Sequence, residues 1–124
     1  MQVLLAEDQA PTARIMRMAL EKAGYQVKVT HNGRDALQQA LAEPPDVLIT
    51  DIEMPIMTGQ ELCLALVEQV PSRAYPIYVC TSVTDMVHRE WTKQIDNLFF
   101  LEKPVSIKKL TAELADRLQA PPSP

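Results

Sequence analysis

Short apolar runs alternate along the chain with segments in which apolar residues return every three or four positions. The runs are Val3-Leu4-Leu5-Ala6, Gln26-Val27-Lys28-Val29-Thr30, Val47-Leu48-Ile49-Thr50, Ile77-Tyr78-Val79-Cys80-Thr81 and Leu98-Phe99-Phe100-Leu101. Three of them are continuously apolar over four residues, which suits strands covered on both faces, as in a parallel sheet. A helix-period segment follows each run. Ile15, Met16, Ala19, Leu20 and Ala23 share one face, with Gly24 as a helix stop. Ala36, Leu37, Ala40 and Leu41 form the next stripe, ended by Glu43-Pro44-Pro45. Leu62, Leu66 and Val70 follow, with Cys63 and Val67 beside them. Val87, Trp91 and Ile95 come next. Ile107, Leu110, Leu114 and Leu118 close the series behind Ser106, a candidate N-cap. These stripes read as core faces.

The order βαβαβαβαβα predicts an α/β fold, one five-stranded parallel sheet with five helices on its two faces. Right-handed crossovers make it doubly wound. Sites in such folds lie at the carboxyl ends of the strands.

A chain of 124 residues fits one domain. The only low-complexity stretch is Ala120-Pro121-Pro122-Ser123-Pro124, so residues 1–119 are expected to form the domain and 120–124 a Pro-rich tail or the start of a linker. Hydrophobic residues at 47% and charged residues at 23% exclude a largely disordered chain. No apolar run approaches the ~20 residues of a membrane helix. Acid at Glu7-Asp8 comes too early for a secretory signal. A cytoplasmic protein with reduced Cys63 and Cys80 is expected, and without a CxxC or a His/Cys cluster a zinc site is not. With 12 Lys and Arg against 16 Asp and Glu, the net charge of −4 argues against nucleic acid binding.

The strand ends carry the chemistry. The first run ends in Glu7-Asp8, the third in Asp51, the fourth in Thr81-Ser82 and the fifth in Glu102-Lys103-Pro104; the second ends in His31-Asn32-Gly33, which reads as a turn. Carboxylates brought close repel, and one takes up a proton unless a cation joins them. A hard divalent cation with oxygen ligands offsets that cost, and Mg²⁺ suits few carboxylates and several waters. With Lys103 beside it, such a pocket is ready for a phosphoryl group. Asp51 is the candidate carboxylate nucleophile and Thr81 a candidate donor to a phosphoryl oxygen.

These residues resemble the receiver domain of two-component response regulators, from Val3 to Leu118. The most specific stretch is Asp51-Ile52-Glu53-Met54-Pro55-Ile56-Met57-Thr58-Gly59, which is similar to the family's D-x-x-M-P-x-M-x-G. Glu7 and Asp8 lie 44 and 43 residues before Asp51, Thr81 lies 30 after it and Lys103 52 after it, spacings like the family's own. The resemblance implies a flavodoxin-like sheet of strand order 2-1-3-4-5. It implies Asp51 as phosphoacceptor, Thr81 as switch hydroxyl, and Lys103 as its partner before a cis peptide at Pro104. It implies Mg²⁺ held by Asp8 and Asp51, by Glu7 through water, and at Glu53, where the family uses a backbone carbonyl. It implies a histidine kinase or histidine phosphotransfer protein as phosphoryl donor. The fourth helix, fifth strand and fifth helix would form the output face, a candidate homodimer surface. Such a protein is not an enzyme in the turnover sense, though it catalyses its own phosphorylation and dephosphorylation.

The chain departs from the family at a few positions. Phe100 stands at the aromatic switch where tyrosine is common, Ser82 follows Thr81 where a small residue such as alanine is common, and Gln94-Ile95-Asp96-Asn97 replaces a usual Gly-Ala. Two other readings stay open: a metal-dependent phosphatase with an aspartate nucleophile, and a receiver-like interaction module whose phosphorylation is vestigial. His31 and His88 belong to no catalytic constellation in the sequence.

Overall fold

The computed structural model of the protein describes residues 1–82 and 90–118. Five strands, β1 (Gln2–Ala6), β2 (Gln26–Thr30), β3 (Val47–Asp51), β4 (Ile77–Thr81) and β5 (Leu98–Glu102), form one parallel sheet. Its order is β2-β1-β3-β4-β5, as the resemblance implied. The helices are α1 (Ala10–Lys22), α2 (Gly33–Ala42), α3 (Gly59–Gln69) and α4 (Ile107–Leu118).

Alternation along the strands divides the core in two. Val3, Leu5, Val47, Ile49, Tyr78, Cys80 and Leu101 face α1 and α4, where they meet Ala13, Met16, Leu20, Leu110 and Leu114. Leu4, Ala6, Leu48, Ile77 and Val79 face α2 and α3, where they meet Ala36, Leu37, Ala40, Leu62, Cys63 and Leu66. The central strands β3 and β4 are buried along their whole length, which is why their sequences lack a polar face.

The α-helices among the described residues number four, not five. Of the expected fourth stripe, Val87 lies outside the described residues. Glu90–Gln94 is a 3-10 helix, which brings half-buried Trp91 and buried Ile95 onto the core without a full α-helical turn. The left-handed Asn97 (φ 59°) then turns the chain into β5. The helix expected as the fifth is therefore α4. The N–H of Lys109 donates to Ser106 Oγ at 3.3 Å, as an N-cap should. Residues 119–124, which include the expected tail, also lie outside the described residues.

The face of α1 differs from the one expected. The buried residues are Ala13, Met16 and Leu20, and Ile15 is 62% exposed. The helix lays its small Ala13 on the sheet, which rotates Ile15 outward by about 100° from Met16. Leu41, expected on the core face of α2, is likewise exposed at that helix's last turn.

Polar devices close the loops. Thr58 and Glu61 form a reciprocal capping box at the start of α3. At the opposite end of the sheet the Arg73 guanidinium donates to the carbonyls of Tyr75, Asp96 and Asn97, clamping the chain before β4 to the chain before β5. In the loop between β3 and α3, Ile56 has φ 70° and is exposed. A β-branched residue is strained in the left-handed region, where asparagine is tolerated. Ile56→Asn is therefore expected to stabilise the domain by about 1 kcal/mol, read as a raised denaturant midpoint at unchanged slope.

Candidate functional site

Strand register builds the site. In the β1–β3 ladder Ala6 pairs with Thr50, so the next residues along, Glu7 and Asp51, emerge side by side. Asp51 pairs with Cys80, and Thr81 with Glu102, so the ends of β4 and β5 follow in line. Glu7, Asp8 and Asp51 each present a carboxylate oxygen, and these oxygens lie within 4.8 Å of one another. Glu7 and Asp51 are buried and Asp8 is half-buried.

Lys103 completes the cluster. Its Nζ is 2.7 Å from Asp51 Oδ1, and the same oxygen accepts from the Ile52 N–H at 2.8 Å. The Lys103 N–H donates to the Thr81 carbonyl at 2.8 Å, extending the β4–β5 ladder by one bond. The Lys103–Pro104 peptide is cis. Thr81 is fully buried, and its Oγ1 donates to the Ser82 carbonyl at 3.1 Å. Phe100 is half-buried against the core on the α2/α3 side. The Glu53 side chain is exposed and stands apart from the three close carboxylates; with Asp8 it lines a shallow hollow floored by Ile52, Met54 and Thr58. Met54 and Met57 pack into the core as apolar plugs.

The electrostatics follow from burial. Desolvation, the Asp51 charge and a hydrogen bond with Asp8 push Glu7 from 4.5 up to about 7, against the lowering effects of the Gln9 N–H (3.1 Å from Oε2) and of Lys103. For Lys103, desolvation acts downward, but the Asp51 bond and charge outweigh it and raise its pKa. Cys80, buried beneath the cluster, is pushed up to about 12 by desolvation and by the charges of Asp51 and Glu7, so its thiol is protonated and inert. An all-oxygen donor set this close, with one member reluctant to ionise, fits a hard divalent cation such as Mg²⁺.

The Glu7 shift has a sign that can be measured. The folded state holds this proton up to about pH 7, whereas the unfolded chain releases it near 4.5. Between those values the folded state binds more protons, so the contribution of Glu7 to stability falls as pH rises. In chelator, Glu7→Gln is expected to gain on the unsubstituted chain by about 2 kcal/mol between about pH 5 and pH 8. Urea unfolding at both pH values reads this difference. A constant offset would contradict it.

Two glycines let main chain pack against main chain at the site. A Cβ on Gly59 would lie 2.0 Å from the Asp51 carbonyl oxygen, and the Gly59 N–H donates to the Ile52 carbonyl at 2.7 Å. A Cβ on Gly33 would lie 2.3 Å from the Met57 carbonyl oxygen, to which the Gly33 N–H donates at 2.9 Å. Gly33 had read as part of a turn. It is the first residue of α2, behind Asn32, whose Oδ1 caps the N–H of Asp35. The Asn32/Asp35 spacing carries that cap signal; nothing local in the sequence marks the Met57 contact.

Residues 3–115 match the response regulator receiver domain. The Response regulator ArlR of Staphylococcus aureus is 27% identical over 121 residues, covering 98% of this chain and 54% of that protein. The chain thus spans about half the length of the curated relatives it matches. Among solved structures, the Vibrio cholerae chemotaxis protein CheY4 superposes with a TM-score of 0.82 at 31% identity, covering 94% of this chain and 97% of that one. The signal receiver domain of a signal transduction histidine kinase from Syntrophus aciditrophicus gives 0.82 at 31%, covering 94% and 88%. No helix among the described residues is long and apolar enough to cross a membrane. With a matched family, a five-stranded sheet in the family's order and an aspartate, acid pair and lysine gathered at its carboxyl edge, the chain belongs to the receiver domains of two-component response regulators.

Proposed function

We propose that this domain accepts a phosphoryl group on Asp51, with Mg²⁺, from a histidine kinase or histidine phosphotransfer protein. The observation that carries the reading is the tether on one oxygen of Asp51. Oδ1 is held by Lys103 Nζ at 2.7 Å and by the Ile52 N–H at 2.8 Å. The carboxylate is thereby oriented, and Oδ2 is the oxygen that attacks phosphorus. A P–O bond forms as the P–N bond of a phosphohistidine breaks, and the imidazole leaves. Asp8 and Asp51 would hold Mg²⁺ directly, with Glu7 through water and Glu53 through its main-chain carbonyl. Bound there, the cation neutralises the carboxylates and stabilises charge on the phosphoryl oxygens. Lys103 is placed to follow that charge when the Asp51 carboxylate becomes an acyl phosphate.

The approach to Asp51 supports a protein donor. Ile15, Pro104, Val105 and Ile107 rim the hollow that has Glu7, Asp51 and Lys103 at its floor. An exposed isoleucine beside a buried acid suits an apolar contact that excludes water during transfer. Thr81 and Phe100 are the switch pair: the threonine hydroxyl turns from the Ser82 carbonyl toward the phosphoryl group, and the phenylalanine ring, lacking a hydroxyl, responds through packing alone. The output surface is assigned to Glu90–Gln94, β5 and α4, where Trp91, Leu98 and Phe100 are half-buried, and self-association of that face is its proposed readout.

The test is incubation with a small phosphodonor and Mg²⁺, followed by intact-mass measurement. The reading expects one added phosphoryl group, lost when the metal is chelated beforehand. A folded domain that gains none would favour an interaction module, and steady hydrolysis of a phosphate ester would favour a phosphatase.

A further inference from the structure

The second strand contributes no side chain to the phosphoryl chemistry, yet the segment that follows it touches both loops that do. His31 Nδ1 lies 3.0 Å from the Glu7 carbonyl oxygen. A carbonyl only accepts, so Nδ1 carries the hydrogen and donates. That carbonyl belongs to the peptide joining Glu7 to Asp8, the two acids of the cluster. The Glu7 N–H donates to the Thr30 carbonyl at 3.0 Å, so the Glu7 main chain is bonded at both its amide and its carbonyl. Two residues further on, the Gly33 N–H donates to the Met57 carbonyl, in the loop that runs from Asp51 to α3. Asn32, between them, is buried and fixed by its bonds to Asp35.

We propose that the Thr30–Gly33 segment, the junction of β2 and α2, is a brace that holds the acidic loop and the Asp51 loop at a fixed separation, with His31 the positioning residue for the Glu7-Asp8 peptide. This rests on the reading of the site as a Mg²⁺-dependent phosphoacceptor and adds a residue to it. The physical reason is repulsion. To hold a cation all three acids must be ionised, and carboxylates confined within 4.8 Å then push apart, side chains on loops yielding most readily. A hydrogen bond on the peptide between two of them resists that spreading, so less order has to be imposed when the metal binds. His31 itself is exposed and touches none of the reacting atoms, so its removal leaves the core unaltered.

The experiment compares His31→Ala and His31→Asn with the unsubstituted chain. Asparagine Nδ2 occupies nearly the place of histidine Nδ1 relative to the main chain, so it restores the donor. Mg²⁺ affinity is read by calorimetry, and amide hydrogen exchange at Glu7 and Asp8 is read in chelator. His31→Ala is expected to weaken Mg²⁺ binding by about three- to tenfold and to speed exchange at those amides, as loss of one hydrogen bond should. His31→Asn is expected to bring both to within about twofold of the unsubstituted chain, and the unfolding midpoint without metal should stay nearly constant throughout. An alanine variant that binds Mg²⁺ like the unsubstituted chain, or an asparagine variant as weak as alanine, overturns the brace and leaves the phosphoacceptor reading intact. An unsubstituted chain that binds no Mg²⁺ overturns that reading, and the brace with it.

Discussion

Asp51→Asn should take up no phosphoryl group from a small phosphodonor and Mg²⁺, a fall of at least ~100-fold against the unsubstituted chain. The amide is a poor nucleophile, and its neutral oxygen contributes less to a hard cation than a carboxylate does. The substitution is nearly isosteric in a buried position, so the packing around residue 51 is kept. Its electrostatic effects oppose one another. Lys103 loses its charged partner, but its side chain is 39% exposed and water takes over much of that role. Glu7 loses a neighbouring negative charge that raises its pKa, which relieves the folded state. Stability should therefore stay within about 1 kcal/mol, and loss of the phosphoryl group cannot be put down to unfolding. The measurement is intact mass with peptide mapping, alongside a denaturant titration. A residual gain mapping to Asp8 or Glu53 would move the acceptor and overturn the assignment to Asp51.

The separation between what sequence and structure each reveal follows physical lines. β3 and β4 were legible because a strand buried on both faces carries apolar residues at successive positions, as Val47-Leu48-Ile49 and Ile77-Tyr78-Val79 do. The gathering of Glu7, Asp8, Asp51 and Lys103 was legible because chemistry at the ends of parallel strands needs only the strand order to become adjacent. The orientation of α1 was not. Apolar residues surround more than half of that helix, so period alone does not choose between an edge with Ile15 and one with Ala13. The sheet chooses the small residue, and Ile15 is left at the rim of the site. Trp91 and Ile95 misled in another way: spacing by four fits an α-helix, but a short 3-10 segment also delivers both to the core. Least legible were contacts in which the acceptor is a main-chain carbonyl, such as His31 on Glu7 and Gly33 on Met57, because no side-chain pattern at the acceptor announces them.

Gly59→Ala is expected to be the most damaging small substitution near the site. It would cost about 3 kcal/mol in unfolding free energy, and the fraction that stays folded should phosphorylate about 100-fold more slowly. Alanine is ordinarily a better helix residue than glycine, so propensity predicts a gain at this first position of α3. Packing decides otherwise. The added methyl would sit 2.0 Å from the Asp51 carbonyl oxygen and 2.9 Å from both the Asp51 carbonyl carbon and the Ile52 Cα. All three are main-chain atoms at the end of a buried central strand, so no side chain can swing aside. Either α3 lifts, breaking the 2.7 Å bond from the Gly59 N–H to the Ile52 carbonyl, or the end of β3 shifts and carries the Asp51 carboxylate with it. The first route loses stability and the second loses alignment with Lys103, which holds Asp51 Oδ1 at 2.7 Å. Gly33→Ala is the informative contrast. Its clash is with Met57, on the irregular loop beyond β3, which can yield without moving Asp51. It should therefore lose stability and, with that arm of the brace loosened, bind Mg²⁺ more weakly, while at saturating Mg²⁺ the folded fraction keeps most of its phosphorylation rate. Denaturant titration and single-turnover phosphorylation of both variants separate the two routes, and a Gly59→Ala domain as stable and reactive as the unsubstituted chain would show that Asp51 is not positioned by this contact.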